Sequence, residues 1–373
     1  MRLVVTGGGT GGHIYPAVAV AKEMIRLLPN TKVLYMGTEA GMESSIAPRE
    51  GFRFSAVRSS GVMGKSPAVA AKGLFNASRG VADAVKALKD FAPDVVLGTG
   101  GYASGPVVLA AKLLRIPRAI QEQNAVPGKT NAFLSRLSQR TFAAWDYSVK
   151  FFPDPSRVAV TGNPVRSVLF GAKRSDSREF FGLPGEGQTA LLLGGSRGAK
   201  TLVEAGVRLA GRLPEGASML FITGREYYAG AVKALKANPL PGIEGARTGN
   251  IILRPYVHDM ARAYGASDVV IGRAGGMTLS EVTALGLSSI IVPSPNVAGN
   301  HQEYNARALE EAGAAIVVRE DKDAVEAVCE AVLGLLTDAE KRAGIAEAAG
   351  RIGKPSAAGD ICRALMDLAR TGK

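Results

Sequence analysis

The chain begins MRLVVTGGGTGGHIYPAVAVAKEMIRLL, residues 1–28. Residues 3–5 (LVV) form an apolar run, too short for a helix and suited to a buried strand. Glycines follow at positions 7, 8, 9, 11 and 12, and Pro16 then stands where a first helical position is expected, opening an alanine- and valine-rich segment. Strand, glycine turn and helix N-terminus together make an anion-binding geometry. Backbone N–H groups lack helical partners there, the helix dipole favours negative charge, and glycine allows close approach.

Two kinds of chemistry fit this stretch. Gly7, Gly9 and Gly12 match G-x-G-x-x-G, which fits a nicotinamide or flavin dinucleotide, and Glu39 follows VLYMGT about where an acidic ribose ligand would stand. His13, directly after the glycines, points instead to acid–base chemistry, because imidazole titrates nearest neutrality. A histidine that caps or packs against the helix would occupy the same position.

The 373 residues allow two domains of ordinary size, and 46% hydrophobic with 21% charged residues is normal for a soluble globular enzyme. A formal charge of +12 favours anionic partners: phosphorylated substrates, an acidic lipid surface or nucleic acid. No lysine–arginine block stands out and aromatics are 6%, which disfavours nucleic acid. Cys329 and Cys362 have no metal-ligand spacing and read as reduced core thiols in the cytosol. No signal peptide precedes the first strand and no apolar run is long enough to span a bilayer, so any membrane role is expected to be peripheral.

Strands and helices alternate throughout, the doubly wound α/β pattern. Strands are expected at residues 33–36, 94–97, 119–122, 141–144 and 158–160, and again at 190–193, 219–223, 251–254, 269–272 and 289–292. Helices are expected at 80–90 and 106–114. Gly162, Pro164 and the charged stretch 173–179 mark a linker. Glycine loops recur at 7–12, 98–105, 194–198 and 272–276, two in each half, as a weak internal repeat. Ligands sit at the carboxyl ends of parallel strands, so two Rossmann-like domains could bring four such loops to one cleft. A single dinucleotide domain does not need four, which moves the reading toward a nucleotide-sugar enzyme.

The segments GGGTGGHIYP, GTGGYASGP, QEQNAVPGKTN, TGNPVR, GGSRGA, GRAGGMTLSE and GNHQEYNA occur in this order over residues 7–306. Together they closely resemble the MurG family of bacterial peptidoglycan glycosyltransferases. The resemblance implies a GT-B fold: two Rossmann-like doubly wound domains with the active site in the cleft between them. It implies residues 1–163 as an acceptor- and membrane-side domain joined by the last helix, 355–373, and residues 164–354 as the UDP-sugar domain. The activity implied is inverting, metal-independent transfer of N-acetylglucosamine from its UDP carrier to lipid I, giving lipid II, without a cofactor.

By the same resemblance, Thr10, Gly11 and Gly12 contact the donor and His13 stands near the reacting centre as a candidate general base. Asn124 matches a donor contact, although Asn before Ala-Val-Pro-Gly also makes an Asx-turn. Arg166 matches a donor contact whose guanidinium suits a diphosphate, and an interdomain salt bridge is its other use. Ser196 suits a phosphate, the Val257 backbone is implied to read uracil, and Gly276, Met277, Thr278, Leu279, Ser280 and Glu281 form the nucleotide turn. Glu281 is implied to hold the ribose, an ordinary first-turn glutamate being its other use, and Gln302 is implied to read the sugar. His301 stands where some members carry a second glutamine.

Tyr102 and Ser104 resemble the acceptor loop. Residues 61–75 mix apolar residues with Lys65 and Lys72, which suits an anionic membrane surface as well as it suits an ordinary packed loop and helix. Asp321 and Asp323 form a literal D-x-D, read as a solvated helix start and not as a metal site. The expected location is the cytoplasmic face of the cell membrane. A UDP-N-acetylglucosamine 2-epimerase-like enzyme, which would need further cleft carboxylates, an NAD-dependent oxidoreductase and a basic nucleic-acid-binding protein remain as alternatives.

Overall fold

The computed structural model describes residues 1–59, 67–194 and 199–372, with backbone alone over 67–77 and at Ala298. Ser196 and Lys65 lie outside the described residues, as does the Lys72 side chain. The chain forms two units, Met1–Arg166 with Lys354–Lys373, and Ser167–Gly353.

The first unit runs β1 (Arg2–Gly7), α1 (Gly11–Leu27), β2 (Lys32–Gly37), α2 (Glu43–Arg49), β3 (Arg53–Ala56), α3 (Pro67–Phe91), β4 (Val95–Gly100), α4 (Ser104–Leu113), β5 (Arg118–Glu122), α5 (Lys129–Ser135), β6 (Arg140–Ala143) and β7 (Val158–Val160). The second runs α6 (Arg174–Phe181), β8 (Thr189–Leu193), α7 (Lys200–Leu209), β9 (Ser218–Ile222), α8 (Arg225–Leu235), β10 (Asn238–Pro239), β11 (Ala246–Thr248), β12 (Ile251–Arg254), α9 (Met260–Gly265), β13 (Val269–Gly272), α10 (Gly276–Ala284), β14 (Ser288–Ile291), α11 (His301–Glu311), β15 (Ile316–Val317), α12 (Ala324–Thr337) and α13 (Ala339–Ile352). The final helix, α14 (Ala357–Thr371), belongs to the first unit.

The first sheet is parallel in the order β3-β2-β1-β4-β5-β6-β7. Side chains alternate along β1: Leu3 and Val5 pack with Ile14 and Val18 of α1 and Ile361 and Cys362 of α14. Val4 faces the other way, onto Leu88 of α3 and Val107 of α4. Both faces of the strand are therefore covered, which is why it reads as a continuous apolar run. The second sheet has the order β10-β11-β12-β9-β8-β13-β14-β15, parallel except for the antiparallel edge β10-β11-β12. Leu192, Phe221 and Ile271 pack there on Leu202 of α7 and on Val328 and Cys329 of α12.

Several expectations change. The charged stretch 173–179, expected as linker, lies mostly in helix α6 of the second unit, and the units divide after Arg166, so residues 164–166, expected in the second domain, belong to the first. Helix α1 starts at Gly11, so Pro16 lies inside it; its missing N–H leaves the Gly12 carbonyl without the usual helical donor. Strand β4 runs on through Gly100, and α3 and α4 both begin before the expected residues. The hairpin edge β10-β11 was not expected, because segments of two and three residues carry too little periodicity to read. Both cysteines are free and buried; burial raises the Cys329 thiol and pushes Cys362 up to about 12, so neither is a reactive thiolate at neutral pH. Among the described residues no helix is long and apolar enough to cross a membrane.

Candidate functional site

In each sheet the chain winds outward in both directions from a central pair, β1 beside β4 and β8 beside β13. Crossover helices leave such a pair on opposite faces and open a crevice outside the carboxyl ends of the strands. All four glycine loops follow these four strands. The loop after β8 falls at residues 195–198, which include Ser196 and are not described.

In the first unit the loops after β1 and β4 meet backbone to backbone. The Gly8 N–H donates to the Gly100 carbonyl at 3.2 Å. A Cβ at Gly101, where φ is +76°, would collide with the Gly8 carbonyl. Glu43, fully buried, closes the loop from the other side: its carboxylate accepts the Gly9 N–H at 3.1 Å, the Thr38 N–H at 2.9 Å and the Thr38 hydroxyl at 2.7 Å. Side chains at Gly8, Gly37 or Gly41 would run into that carboxylate. The amides of Gly8 and Gly9 are thus already bonded, and a buried carboxylate stands where a dinucleotide pyrophosphate would need positive potential. This counts against the dinucleotide alternative.

His13 lies in the first turn of α1 and is partly exposed. Its Nδ1 is 3.1 Å from the Gly8 carbonyl and 3.5 Å from the Thr10 hydroxyl. A carbonyl can only accept, so Nδ1 carries the proton in the neutral ring and the lone pair resides on Nε2, the tautomer a general base needs. Gly100, at φ +107°, makes room for this edge: a Cβ there would stand 2.8 Å from His13 Cδ2 and 3.2 Å from both His13 Nε2 and Asn131 Nδ2. Thr10 is the extended N-cap of α1, and neither an acidic residue nor a side-chain cap occupies that helix start, where Gly11 and Gly12 follow.

Glu122 organises the QEQN segment. It is 1% exposed, and its carboxylate accepts the Asn124 N–H and side-chain amide at 2.9 and 3.1 Å, the Gly128 N–H at 3.2 Å and the Asn131 amide at 2.9 Å. Asn124 is therefore held in place by the Glu122 carboxylate. The Arg166 guanidinium lies 4.9 Å from the Tyr15 ring centre, a cation–π contact within the first unit. Tyr102 is 58% exposed. Ser104 is fully buried and its hydroxyl is shared among the Thr6 carbonyl, the Gly100 carbonyl and the Gly100 N–H, so it holds the loop from inside and offers no surface to an acceptor.

In the second unit α10 opens from an extended Gly275 with no acidic residue in its first turn. Of the expected nucleotide turn, Leu279 is buried in the core and its N–H bonds the Gly275 carbonyl, so it offers a ligand neither group. The Ser280 hydroxyl donates to the Gly276 carbonyl at 2.9 Å, while Gly276, Met277 and Thr278 form the helix start itself. Glu281 is 8% exposed and accepts the Tyr264 hydroxyl at 2.8 Å. Val257 lies buried in the loop between β12 and α9. Gln302, in the first turn of α11, accepts the Ser294 N–H at 2.9 Å, which orients its amide NH2 as a donor. Arg273, in the loop after β13, makes a two-point ion pair with Glu320. In the D-x-D stretch Asp321 accepts the Asp323 N–H at 2.9 Å, as a helix-start turn does. Among the described residues no cluster of three His, Cys, Asp or Glu could hold a metal ion.

Glu43, Glu122, Asn131 and the Arg273–Glu320 pair were not singled out from the sequence. The available signal was the crowd of glycines around Glu43 and the place of Glu122 and Asn131 within a quoted motif.

Comparison with known proteins identifies the family. Residues 3–143 match the glycosyltransferase family 28 N-terminal domain, and residues 189–361 match the C-terminal domain of the same family. The chain is 40% identical over 370 residues to the UDP-N-acetylglucosamine–N-acetylmuramyl-(pentapeptide) pyrophosphoryl-undecaprenol N-acetylglucosamine transferase of Desulforamulus reducens, covering 99% of each chain. It is 41% identical over 375 residues to the enzyme of that name from Desulforudis audaxviator, covering 100% of each. The crystal structure of Acinetobacter baumannii MurG superposes with a TM-score of 0.73 at 27% identity, covering 98% of this chain and 99% of that one. A UDP-GlcNAc 2-epimerase from Neisseria meningitidis, solved with UDP-GlcNAc, superposes at 0.69 over 98% of this chain and 100% of its own, but at 17% identity, which shows a shared fold alone. The fold is therefore GT-B, two Rossmann-like α/β domains, and the chain belongs to glycosyltransferase family 28, within its MurG family.

Proposed function

We propose that this chain is an N-acetylglucosaminyltransferase that moves N-acetylglucosamine from UDP-N-acetylglucosamine to lipid I, the undecaprenyl-pyrophosphoryl-N-acetylmuramyl peptide, forming lipid II for peptidoglycan. The observation that carries this is the full-length match, in both family 28 halves, to relatives named for that transfer.

The first unit takes the acceptor, and the second holds most of the donor, with further donor contacts from the first. The acceptor hydroxyl attacks the anomeric carbon through an oxocarbenium-like state. The new C–O bond forms as the bond to the diphosphate oxygen breaks, and that electron pair leaves with UDP. The hydroxyl proton passes to Nε2 of His13, which the Gly8 carbonyl holds in the accepting tautomer. Single displacement inverts the anomeric centre. Backbone donors at the starts of α7 and α10, with Ser196 and Arg166, stabilise the leaving diphosphate in place of a cation; neither helix has an acidic residue in its first turn. The Val257 backbone reads uracil, Glu281 holds the ribose, and Gln302, Asn124 and the Thr10–Gly12 turn contact the sugar. Tyr102 is the exposed member of the acceptor loop, and Ser104 supports it from below.

The test is mass analysis of a lipid I analogue incubated with UDP-N-acetylglucosamine and EDTA. The acceptor is expected to gain one N-acetylhexosamine. Epimerised nucleotide sugar with an unchanged acceptor would contradict the reading, and a requirement for added divalent cation would contradict its metal-independent form.

A lipid-linked acceptor places the enzyme peripherally at the inner face of the cytoplasmic membrane, and the charge of +12 favours an anionic surface. Residues 61–75, with Lys65 and Lys72, are the proposed contact. Binding to anionic vesicles should exceed binding to neutral ones and weaken with salt; equal binding to both would remove the electrostatic contact.

A further inference from the structure

The turn after β15 carries Glu320, beside the D-x-D stretch that the donor contacts leave unused. Its carboxylate reaches two elements. Arg273 donates to Oε1 at 2.8 Å and to Oε2 at 3.0 Å, and Oε1 also accepts the Thr201 hydroxyl. Arg273 in turn donates to the Val292 carbonyl at 3.2 Å. The Arg273 and Glu320 side chains are 20% and 19% exposed, so the pair is largely desolvated and geometrically specific.

Arg273 stands between β13 and α10, and Thr201 is the second residue of α7, the helix that follows β8. Since β8 and β13 are the central pair of this sheet, one carboxylate ties together the elements on both sides of the crevice. Burial pushes the Glu320 carboxyl up, but the hydrogen bonds from Arg273 and Thr201 outweigh it and hold the group below the ordinary glutamate range, so it is ionised at neutral pH.

We propose that Glu320 is a positioning residue for the donor, fixing the start of α7 relative to the start of α10 so that their backbone N–H groups converge on one diphosphate. This rests on the donor assignment made above. The sign of the effect separates positioning from charge. A carboxylate that merely lay near a diphosphate would repel it, and its removal would tighten binding. A carboxylate that sets the helix starts in place loosens binding when it is lost.

The test is calorimetric titration of the full-length protein with UDP, beside the steady-state KM for a lipid I analogue. Glu320→Ala and Glu320→Gln should each raise the UDP Kd about tenfold, and Thr201→Val about two- to threefold, with the acceptor KM unchanged. Glu320→Gln keeps the side-chain size and, with Thr201→Val, carries the test should the alanine variant fail to fold. A UDP Kd that is unchanged or lowered in folded Glu320→Gln overturns the proposal and leaves the donor assignment standing. Failure of the wild-type protein to bind UDP overturns both.

Discussion

The glycine loop after β1 and the one after β13 look alike as sequence and are built for opposite tasks. In the first, the Gly8 and Gly9 amides are bonded to Gly100 and to the buried Glu43. The loop is a closed frame, and what it presents is a side chain, His13, locked through Nδ1 to the Gly8 carbonyl. In the second, the α10 start carries no acidic first-turn residue; Glu320 is paired with Arg273, and Tyr264 bonds one oxygen of Glu281. That loop is held from outside, and its backbone is the proposed contact to the donor. Glycine allows close packing of loop on loop in the first unit; in the second its proposed use is close approach of an anion.

Three substitutions should break this contrast, in falling order of effect. His13→Ala should lower kcat about 10²–10⁴-fold, the usual contribution of a positioned general base. Near-normal turnover would make His13 a structural residue and assign the base elsewhere. Glu281→Ala should weaken UDP by roughly 1–3 kcal/mol, through the lost ribose bonds; calorimetry giving wild-type affinity would remove it from the ribose. Glu43→Ala should cost about 1–2 kcal/mol of stability, because the amides and hydroxyl it serves are left unpaired beside a new cavity. A denaturant midpoint equal to wild type would show that the loop closes without it.

The alternation of strands and helices was legible because strands buried on both faces read as apolar runs, as residues 3–5 do. The four loops were legible because glycine clusters are conspicuous. Helix starts were less so: Pro16 marks a usual first position, but α1 begins five residues earlier, on Gly11. The carboxylates that hold the loops were not legible. Glu43 finds Gly9 at a separation of 34 residues, and Glu320 finds Arg273 at 47, separations that no local spacing rule reads. Glu43 passes in the sequence for an ordinary first-turn helix acid. For the candidate site, how each glycine loop is held depends on those distant partners, so it could not be read from the glycines.

The central claim is a division of labour, with the base on the first unit and the nucleotide on the second. UDP titration of His13→Ala tests it most directly, with the kcat of the same preparation measured on a lipid I analogue. An interaction made only in the transition state costs turnover without costing ground-state binding. The account predicts UDP affinity within roughly 1 kcal/mol of wild type in a variant whose kcat has fallen at least about a hundredfold. Loss of UDP binding in step with loss of turnover would contradict it, and would place the nucleotide against the first glycine loop.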